Sequence, residues 1–228
     1  HKEYRRQRQM CIRDSFKTDD LKKCSRFWII LFKTILSKLY HWKIYVVGSV
    51  EYQYPNHLFQ AGYFLDKKYY DENTIDFKHL LLSEKNQSLL KDIQNSNSVG
   101  VHIRRGDYMT KQNLVIFGNI CTQKYYHDAI RIITEKVNDA VFYVFSDDIS
   151  WVQTHLDIPN AVYVNWNTGE SSIYDMYLMS SCKYNIIANS TFSYWAARLN
   201  KKTNMVIYPS KWYNTFTPDI FPESWCGI

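Results

Sequence analysis

From residue 98 onwards, the chain alternates short apolar segments with longer segments of helical periodicity, and this alternation limits the folds open to it. The apolar segments predict strands at 99–104, 140–146, 161–166, 184–188 and 204–209. Strands separated by helices of about 10–15 residues favour βαβ units, whose strands run parallel in one sheet. The fold class is therefore predicted to be α/β, with a Rossmann-like C-terminal part.

The intervening segments carry helix start signals. Thr122 is the predicted N-cap of a helix whose apolar face comprises Tyr126, Ala129, Ile130, Ile133 and Val137. Further helices are expected to begin at Asp147/Asp148, at the capping residues Ser171/Ser172, and at Ser190, the last extending to Leu199. Residues 16–97 predict a helix, a strand at Ile44–Val47, a tyrosine-rich polar loop and a helix in "SEKNQSLLKDIQ".

Composition excludes several classes of site. The seven glycines are never adjacent, and they form neither a G-x-G-x-x-G loop nor a P-loop. Five widely spaced cysteines without a C-x-x-C pair indicate neither a disulfide framework nor a zinc site, and they favour a reducing, cytoplasmic compartment. No metal site is expected, since Asp147/Asp148 lack a third ligand at a clear spacing and no D-x-D pattern occurs.

The basic and apolar stretches near the N-terminus give little information about binding partners. Residues 1–15 hold five Lys/Arg against two acids, and we interpret them as a disordered or non-native tail, which leaves nucleic-acid binding as an alternative motivated by charge alone. The stretch "FWIILFKTILSKLYHWKIYVV" is interrupted by three lysines and a histidine and is too broken to span a bilayer. A scaffold helix is favoured there over peripheral membrane contact.

Polar clusters follow three of the predicted strands. They are His102/Arg104/Arg105/Asp107, Asp147/Asp148 and Asn189/Ser190/Thr191/Ser193. Ligands of parallel α/β sheets bind beyond the carboxyl ends of the strands, where arginine forks and helix N-termini bind phosphates. The clusters therefore predict a phosphate or pyrophosphate site without a glycine loop. Structural alternatives are an Arg105–Asp107 pair and helix capping by Asp148 or Ser190.

The same segments resemble the α-1,2-fucosyltransferases, glycosyltransferase family eleven. "HIRRGDY", "FYVFSDDISWV" and "DMYLMSSCKYNIIANSTFSYWAARLN" look like the family's three motifs in order, with weaker echoes in "AGYFLDKKYY" and "VIYPSKWY". The resemblance covers most of residues 61–227. It implies an inverting, metal-independent transfer of fucose from GDP-β-L-fucose to the 2-hydroxyl of a galactose, with no cofactor beyond the donor. The implied fold is of GT-B type, with two Rossmann-like domains of which the N-terminal one is incomplete in this chain.

The resemblance also implies roles for individual residues. Arg104 would hold the donor pyrophosphate, His102 and Asp175 would recognise guanine, and Asp147 would help to hold the nucleotide. Thr191, Phe192 and Ser193 would line the phosphate and base pocket, beside Arg105 and Ser190. The acceptor hydroxyl must lose a proton, and Asp107 is the candidate base. An aspartate beside two arginines suits an ion-pair strut better, and the strut is slightly favoured.

The chain departs from the family near its start. Family members open with a strand and a G-G-x-G-N-Q loop, which has no counterpart here. We therefore expect an N-terminally truncated chain: a tail at 1–15, the remnant of an acceptor-side domain at 16–97, and a GDP-fucose-binding Rossmann-like domain at 98–228.

The predicted function is galactoside α-1,2-fucosylation, with GDP-fucose and a galactose-terminated glycan as partners. Two alternatives remain: a non-catalytic nucleotide-binding fragment, and a GT-B enzyme that uses another sugar nucleotide.

Overall fold

The computed structural model describes the backbone of residues 45–48 and 59–62, and residues 76–77 and 79–228 in full. Strands β1 (Tyr45–Gly48) and β2 (Phe59–Gly62) pair in parallel and belong to one compact unit, in agreement with the strand expected at Ile44–Val47. Residues 79–217 and 221–228 belong to another unit. The other elements expected before residue 76, including the remainder of a second Rossmann-like domain, lie outside the described residues.

The larger unit is built on a six-stranded sheet. Its strands are β3 (Asn97–Ile103), β4 (Ala140–Ser146), β5 (Ala161–Val164), β6 (Tyr184–Ile186), β7 (Met205–Tyr208) and β8 (Cys226–Gly227). Their order is β5-β4-β3-β6-β7-β8, and every neighbouring pair is parallel. The predicted α/β class with a parallel sheet is confirmed.

Six α-helices connect or flank these strands. They are α1 (Glu84–Asn95), α2 (Lys111–Phe117), α3 (Gln123–Lys136), α4 (Ile149–His155), α5 (Ser172–Ser180) and α6 (Thr191–Arg198). Two short 3-10 helices, Gly106–Met109 and Gly169–Ser171, precede α2 and α5. Helix α2, the two 3-10 helices and β8 have no counterpart among the sequence predictions.

The helix start signals are partly confirmed. Thr122 caps α3 by accepting a hydrogen bond from the Tyr125 backbone, and the five predicted apolar residues of that helix are buried. Helices α5 and α6 begin where they were predicted, but the expected caps are wrong, because neither Ser171 nor Ser190 makes a side-chain capping bond. Ser172 is the first residue of α5 rather than its cap.

Alternating residues of the central strands serve two cores. Val99, Val101 and Ile103 of β3 pack with α3 and α4 in one buried cluster. On β4, Tyr143 and Phe145 pack instead with residues of α1, α5 and α6 in a second cluster. Since successive side chains of a strand point to opposite faces, helices cover both sides of the sheet. Because β3, β4 and β5 are parallel, their carboxyl ends lie at the same edge of the sheet. Predicted site residues follow β3 and β4 at this edge.

Candidate functional site

A cavity of about 350 Å³ lies beyond the carboxyl ends of β3, β4 and β5. Its volume falls within the range of small-molecule sites, about 300–1,000 Å³. Five residues predicted from the sequence line it, namely His102, Arg104, Asp147, Asp175 and Phe192. The first four are separated along the chain by up to 73 residues (175 minus 102). Parallel strand order brings the residues that follow β3 and β4 together, and Asp175 reaches the cavity from α5.

Arg104 is held at the cavity by two carboxylates. Its Nη2 lies 2.6 Å from Asp107 Oδ1, and its Nη1 lies 2.7 Å from Asp147 Oδ2. The side chain is only 16% exposed, so these bonds fix the orientation of the guanidinium plane. Each Nη atom carries a second hydrogen that an anion entering the cavity can accept.

Arg105 has a different set of partners. Its Nε lies 3.3 Å from Asp148 Oδ2, and its guanidinium carbon stands 3.6 Å from the centre of the Trp151 ring. The sequence alternative of an Arg105–Asp107 pair is wrong, because Asp107 pairs with Arg104 instead. Arg105 lines a second, smaller cavity of about 220 Å³ together with Tyr108, Trp151 and α2.

The two consecutive aspartates after β4 have separate tasks. Asp147 Oδ1 accepts the backbone N–H of Arg105 at 2.9 Å, which ties the β3 loop to β4. Asp148 Oδ1 accepts the backbone N–H of Trp151 and so caps α4, as the capping alternative predicted. That hydrogen bond and the Arg105 guanidinium lower the pKa of Asp148.

Tight packing supports the loop after β3. A side chain at Gly106 would collide with the Asp147 carboxylate, which Arg104 and the Arg105 backbone hold in place, so glycine leaves room for these contacts. The Tyr108 hydroxyl donates to the Asn189 carbonyl oxygen at 2.9 Å, and burial raises the pKa of Tyr108, which keeps this donor protonated. The loop is thus tied to the segment that precedes α6.

His102 and Phe192 form one side of the cavity. His102 is 5% exposed, and its ring centre lies 5.1 Å from that of Phe192. The histidine follows Val101 on β3 and therefore points to the opposite face from the valine, where α6 packs. The hydroxyl of Tyr126 donates to the His102 carbonyl oxygen at 3.1 Å.

Other predicted site residues lie off the cavity wall. Ser193 is fully buried, and its hydroxyl bonds to the carbonyl oxygens of Ala188 and Ser190. Ser190 is buried at the start of α6, whereas Thr191 is exposed there. Neither they nor Arg105 and Asp107 line the larger cavity in the described part of the chain. Their predicted contacts with a ligand remain predictions.

The structure adds a loop that the sequence argument missed. Residues 165–171 connect β5 to α5 and contribute Asn165, Asn167, Thr168 and Gly169 to the cavity wall, and Ser172 joins them from the start of α5. The strand prediction extended to Trp166, whereas β5 ends at Val164. Ending the strand earlier would have exposed the signal, since polar residues follow β5 as they follow β3 and β4.

Two features of this loop bear on binding. Gly169 adopts a φ of 61°, a left-handed conformation that favours glycine. The Ser172 hydroxyl is buried and has no hydrogen-bond partner within the described part of the chain. Buried polar groups are ordinarily hydrogen-bonded, so the unpaired Ser172 hydroxyl stands out among the residues that line the cavity.

The described residues contain no group of three or more His, Cys, Asp or Glu side chains placed to hold a metal ion. In the same part of the chain, no helix has the length and apolarity needed to cross a membrane.

Comparison with known proteins supplies the family. The model of the family described as glycosyl transferase family 11 matches residues 19–228. An alpha-1,2-colitosyltransferase of Escherichia coli is 33% identical over 97% of this chain and 77% of its own length. The O-antigen biosynthesis glycosyltransferase WbnK of Escherichia coli is 44% identical over 53% of this chain and 40% of its own length.

A vertebrate protein is also similar. The galactoside alpha-(1,2)-fucosyltransferase 2 of Pongo pygmaeus is 28% identical over 66% of this chain. The match spans 48% of that protein, so the chain corresponds to half or less of two of these three relatives.

Proposed function

The chain belongs to glycosyl transferase family 11, and on this premise we propose that it transfers L-fucose from GDP-β-L-fucose to the 2-hydroxyl of a terminal galactose with inversion. The observation that carries the proposal is the convergence of His102, Arg104, Asp147, Asp175 and Phe192 on one cavity. Those five residues belong to three segments that resemble the family's motifs. The similarity to a galactoside alpha-(1,2)-fucosyltransferase supports the acceptor and the linkage.

Each wall of the cavity suits one part of the donor. The carboxylate of Asp175 only accepts hydrogen bonds and can take both from the N1–H and the 2-amino group of guanine. His102 and Phe192 supply ring faces beside the base. Arg104 supplies a fork of N–H donors for the diphosphate, and the Ser172 hydroxyl is available to a polar group of the ligand.

The reaction follows from this arrangement. The acceptor 2-hydroxyl oxygen attacks the anomeric carbon of fucose while the bond from that carbon to the phosphate oxygen breaks, and GDP leaves with the electron pair. The acceptor oxygen loses its proton late in the step, to a base or to water. The sugar passes through an oxocarbenium-like state, and negative charge grows on the leaving diphosphate. Arg104, already oriented by Asp107 and Asp147, stabilises that charge without reorganising.

The experiment is titration calorimetry with GDP and with UDP. We expect GDP to bind at least tenfold more tightly, because uracil has only one N–H donor for Asp175 where guanine has two donor groups. Arg104→Ala should remove GDP binding, since the diphosphate loses its fork. Arg131→Ala is the matched control, because it removes an exposed arginine paired with carboxylates on α3. Equal binding of both nucleotides, or GDP binding that survives Arg104→Ala, would contradict the proposal.

A second donor has its own support. The relative that aligns with 97% of this chain is an alpha-1,2-colitosyltransferase, and colitose differs from L-fucose by one missing hydroxyl group. Transfer assays with GDP-fucose and GDP-colitose on a galactoside acceptor distinguish the two, with product linkage as the second readout. Turnover of neither donor by a chain that binds GDP would identify the non-catalytic nucleotide-binding protein instead.

A further inference from the structure

A chain of hydrogen bonds runs from helix α1 to the cavity wall. The Trp166 indole nitrogen lies 2.8 Å from Asn86 Oδ1. Asn86 Nδ2 lies 2.9 Å from Asn167 Oδ1, and Asn167 Nδ2 lies 3.1 Å from Asn86 Oδ1. The same Asn167 nitrogen lies 2.7 Å from Asp175 Oδ1. Four side chains from α1, the β5–α5 loop and α5 are thus connected.

The donors and acceptors in this series of hydrogen bonds are determined by Trp166. An indole N–H can only donate, so the Asn86 atom that faces it must be the carbonyl oxygen. The Asn86 amide nitrogen then faces the Asn167 oxygen, and this leaves the Asn167 nitrogen to face Asp175. A flip of either amide would set two acceptors or two donors against each other.

The network is held by the core. Asn86 is 1% exposed although it is polar, and it lies on the face of α1 that also buries Leu89 and Ile93. A buried amide is tolerated where it is hydrogen-bonded. Here the Asn86 oxygen accepts from Trp166 and Asn167, and its amide nitrogen donates to Asn167. Lys85 covers the Trp166 ring, with its ammonium 3.7 Å from the ring centre. The orientation of Asn167 is therefore set by α1 and its neighbours before any ligand binds.

We propose that Asn167 is a positioning residue for nucleobase selection and that Asn86 and Trp166 determine its orientation. Its N–H donates to one oxygen of Asp175 and holds the carboxylate as a hydrogen-bond acceptor on the cavity wall. A carboxylate in that orientation selects a purine that offers two adjacent donors, an N1–H and a 2-amino group. The inference rests on the proposed GDP-sugar function and extends it to residues outside the three resembling motifs.

The test compares GDP with inosine diphosphate, which lacks the 2-amino group but keeps the N1–H. We expect the unmodified protein to bind GDP about tenfold or more tightly, the value of one hydrogen bond to a charged group. Asn167→Ala should reduce this ratio to about threefold or less, because Asp175 loses its orienting donor. Loss of overall packing would weaken the binding of both nucleotides alike and leave the ratio of their affinities unchanged.

Trp166→Phe is the second variant. It keeps an aromatic ring beneath Lys85 and removes only the N–H that orients Asn86, so we expect a smaller decrease of the same ratio with the fold retained. Asn97→Ala is the matched control, since that exposed amide bonds to the Asn138 carbonyl at the amino end of β3, away from the cavity. Its GDP-to-inosine diphosphate ratio should equal that of the unmodified protein.

The outcomes separate the inference from the function on which it rests. A lower ratio in both variants with an unchanged ratio in Asn97→Ala supports the inference. An unchanged ratio in Asn167→Ala overturns the inference. If Asn167→Ala does not fold, an unchanged ratio in Trp166→Phe overturns it instead. A protein that prefers GDP over UDP without discriminating against inosine diphosphate also overturns it and leaves the proposed function standing. A protein with no preference for GDP over UDP contradicts both.

Discussion

At the scale of single residues, the site is a cluster of opposite charges. Two arginines, Arg104 and Arg105, face three carboxylates: those of Asp107, Asp147 and Asp148. These five side chains have a formal charge of −1, so the carboxylates offset part of the attraction between Arg104 and an anionic ligand. Asp107 is the more exposed partner of Arg104, at 38% against 25% for Asp147. It is therefore the partner of Arg104 whose charge the solvent screens more.

This geometry gives a prediction for Asp107. Asp107→Asn should leave kcat within about tenfold of the unmodified protein and should not weaken GDP binding. The asparagine oxygen can still accept a hydrogen bond from Arg104, and the change removes a negative charge near the anionic ligand. A general base contributes about 10²–10⁴-fold, so its removal would lower kcat far more. The measurements are kcat for fucosyl transfer and the Kd for GDP.

The control is Glu135→Gln, which removes a negative charge from an exposed ion pair on α3. A drop in kcat of a hundredfold or more in Asp107→Asn, with GDP affinity retained, would contradict the strut and assign Asp107 as the base.

At the scale of elements, the start of α4 is stabilised by a charged cap. Asp148 Oδ1 accepts from the Trp151 backbone and from the Ser150 hydroxyl, each at 3.1 Å. A carboxylate at a helix N-terminus also interacts favourably with the helix dipole. Both effects favour the ionised form, in agreement with the lowered pKa of Asp148.

The lowered pKa makes this part of the stability pH-dependent. The folded-state pKa of Asp148 lies below its unfolded value, so the stabilisation is complete above the unfolded value of about 3.9 and is lost as pH falls through the folded value. Asp148→Asn keeps a capping oxygen but cannot ionise. We expect it to be less stable at pH 7 by up to about 1 kcal/mol, a difference that shrinks towards pH 3 and below.

Urea unfolding of both proteins at pH 7, 5 and 3 measures this difference. Asp157→Asn serves as the control, because it removes an exposed carboxylate beyond the end of α4. A stability difference between the unmodified protein and Asp148→Asn that is the same at every pH would show that the charge of Asp148 does not contribute.

At the scale of the whole molecule, the six-stranded sheet of the larger unit separates two buried clusters, and β3 faces both of them. Its valines and Ile103 pack against α3, while Gly100 lies against Cys182 and Asn185 on the other face. A side chain at Gly100 would lie 2.8 Å from the Asn185 amide nitrogen, closer than real contacts allow. Cys182, at 1% exposure, is part of the second core and becomes accessible only when the sheet and the helices on that face separate.

The reactivity of Cys182 should therefore report global unfolding. Burial raises the pKa of its thiol, so the folded protein keeps it protonated at pH 8.5, where an unfolded cysteine is about half ionised. We expect iodoacetamide to modify Cys182 at the rate of unfolding and to modify the half-buried Cys226 faster. Peptide mass spectrometry resolves the two sites.

Saturating GDP provides the control. If GDP binds only the folded state, it slows modification of Cys182 further. Modification of Cys182 at the same rate as Cys226 in native buffer would mean that this core opens locally.

Much of the architecture could be predicted because its signals are local. Apolar runs and helical periodicity located strands β3 to β7 and helices α1, α3, α4, α5 and α6, with ends displaced by a few residues. The cavity position could also be predicted, since polar residues follow β3 and β4 at the edge where parallel strands end. The β5–α5 loop was missed because Asn165 and Trp166 continue the strand pattern, and the unpaired hydroxyl of Ser172 looks in sequence like an ordinary helix cap.

The sequence by itself determined the α/β class, the parallel sheet and the edge at which the cavity lies, because periodicity and strand-end chemistry act over a few residues. Only the tertiary structure decided which side chains meet there. Arg104 pairs with Asp107 and Asp147, and Asn86 reaches Asn167 across 81 positions of chain. Those contacts depend on the strand order β5-β4-β3-β6, in which β3 lies between β4 and β6. Long-range order of this kind follows from how the two cores bury their apolar faces together, which no local pattern encodes.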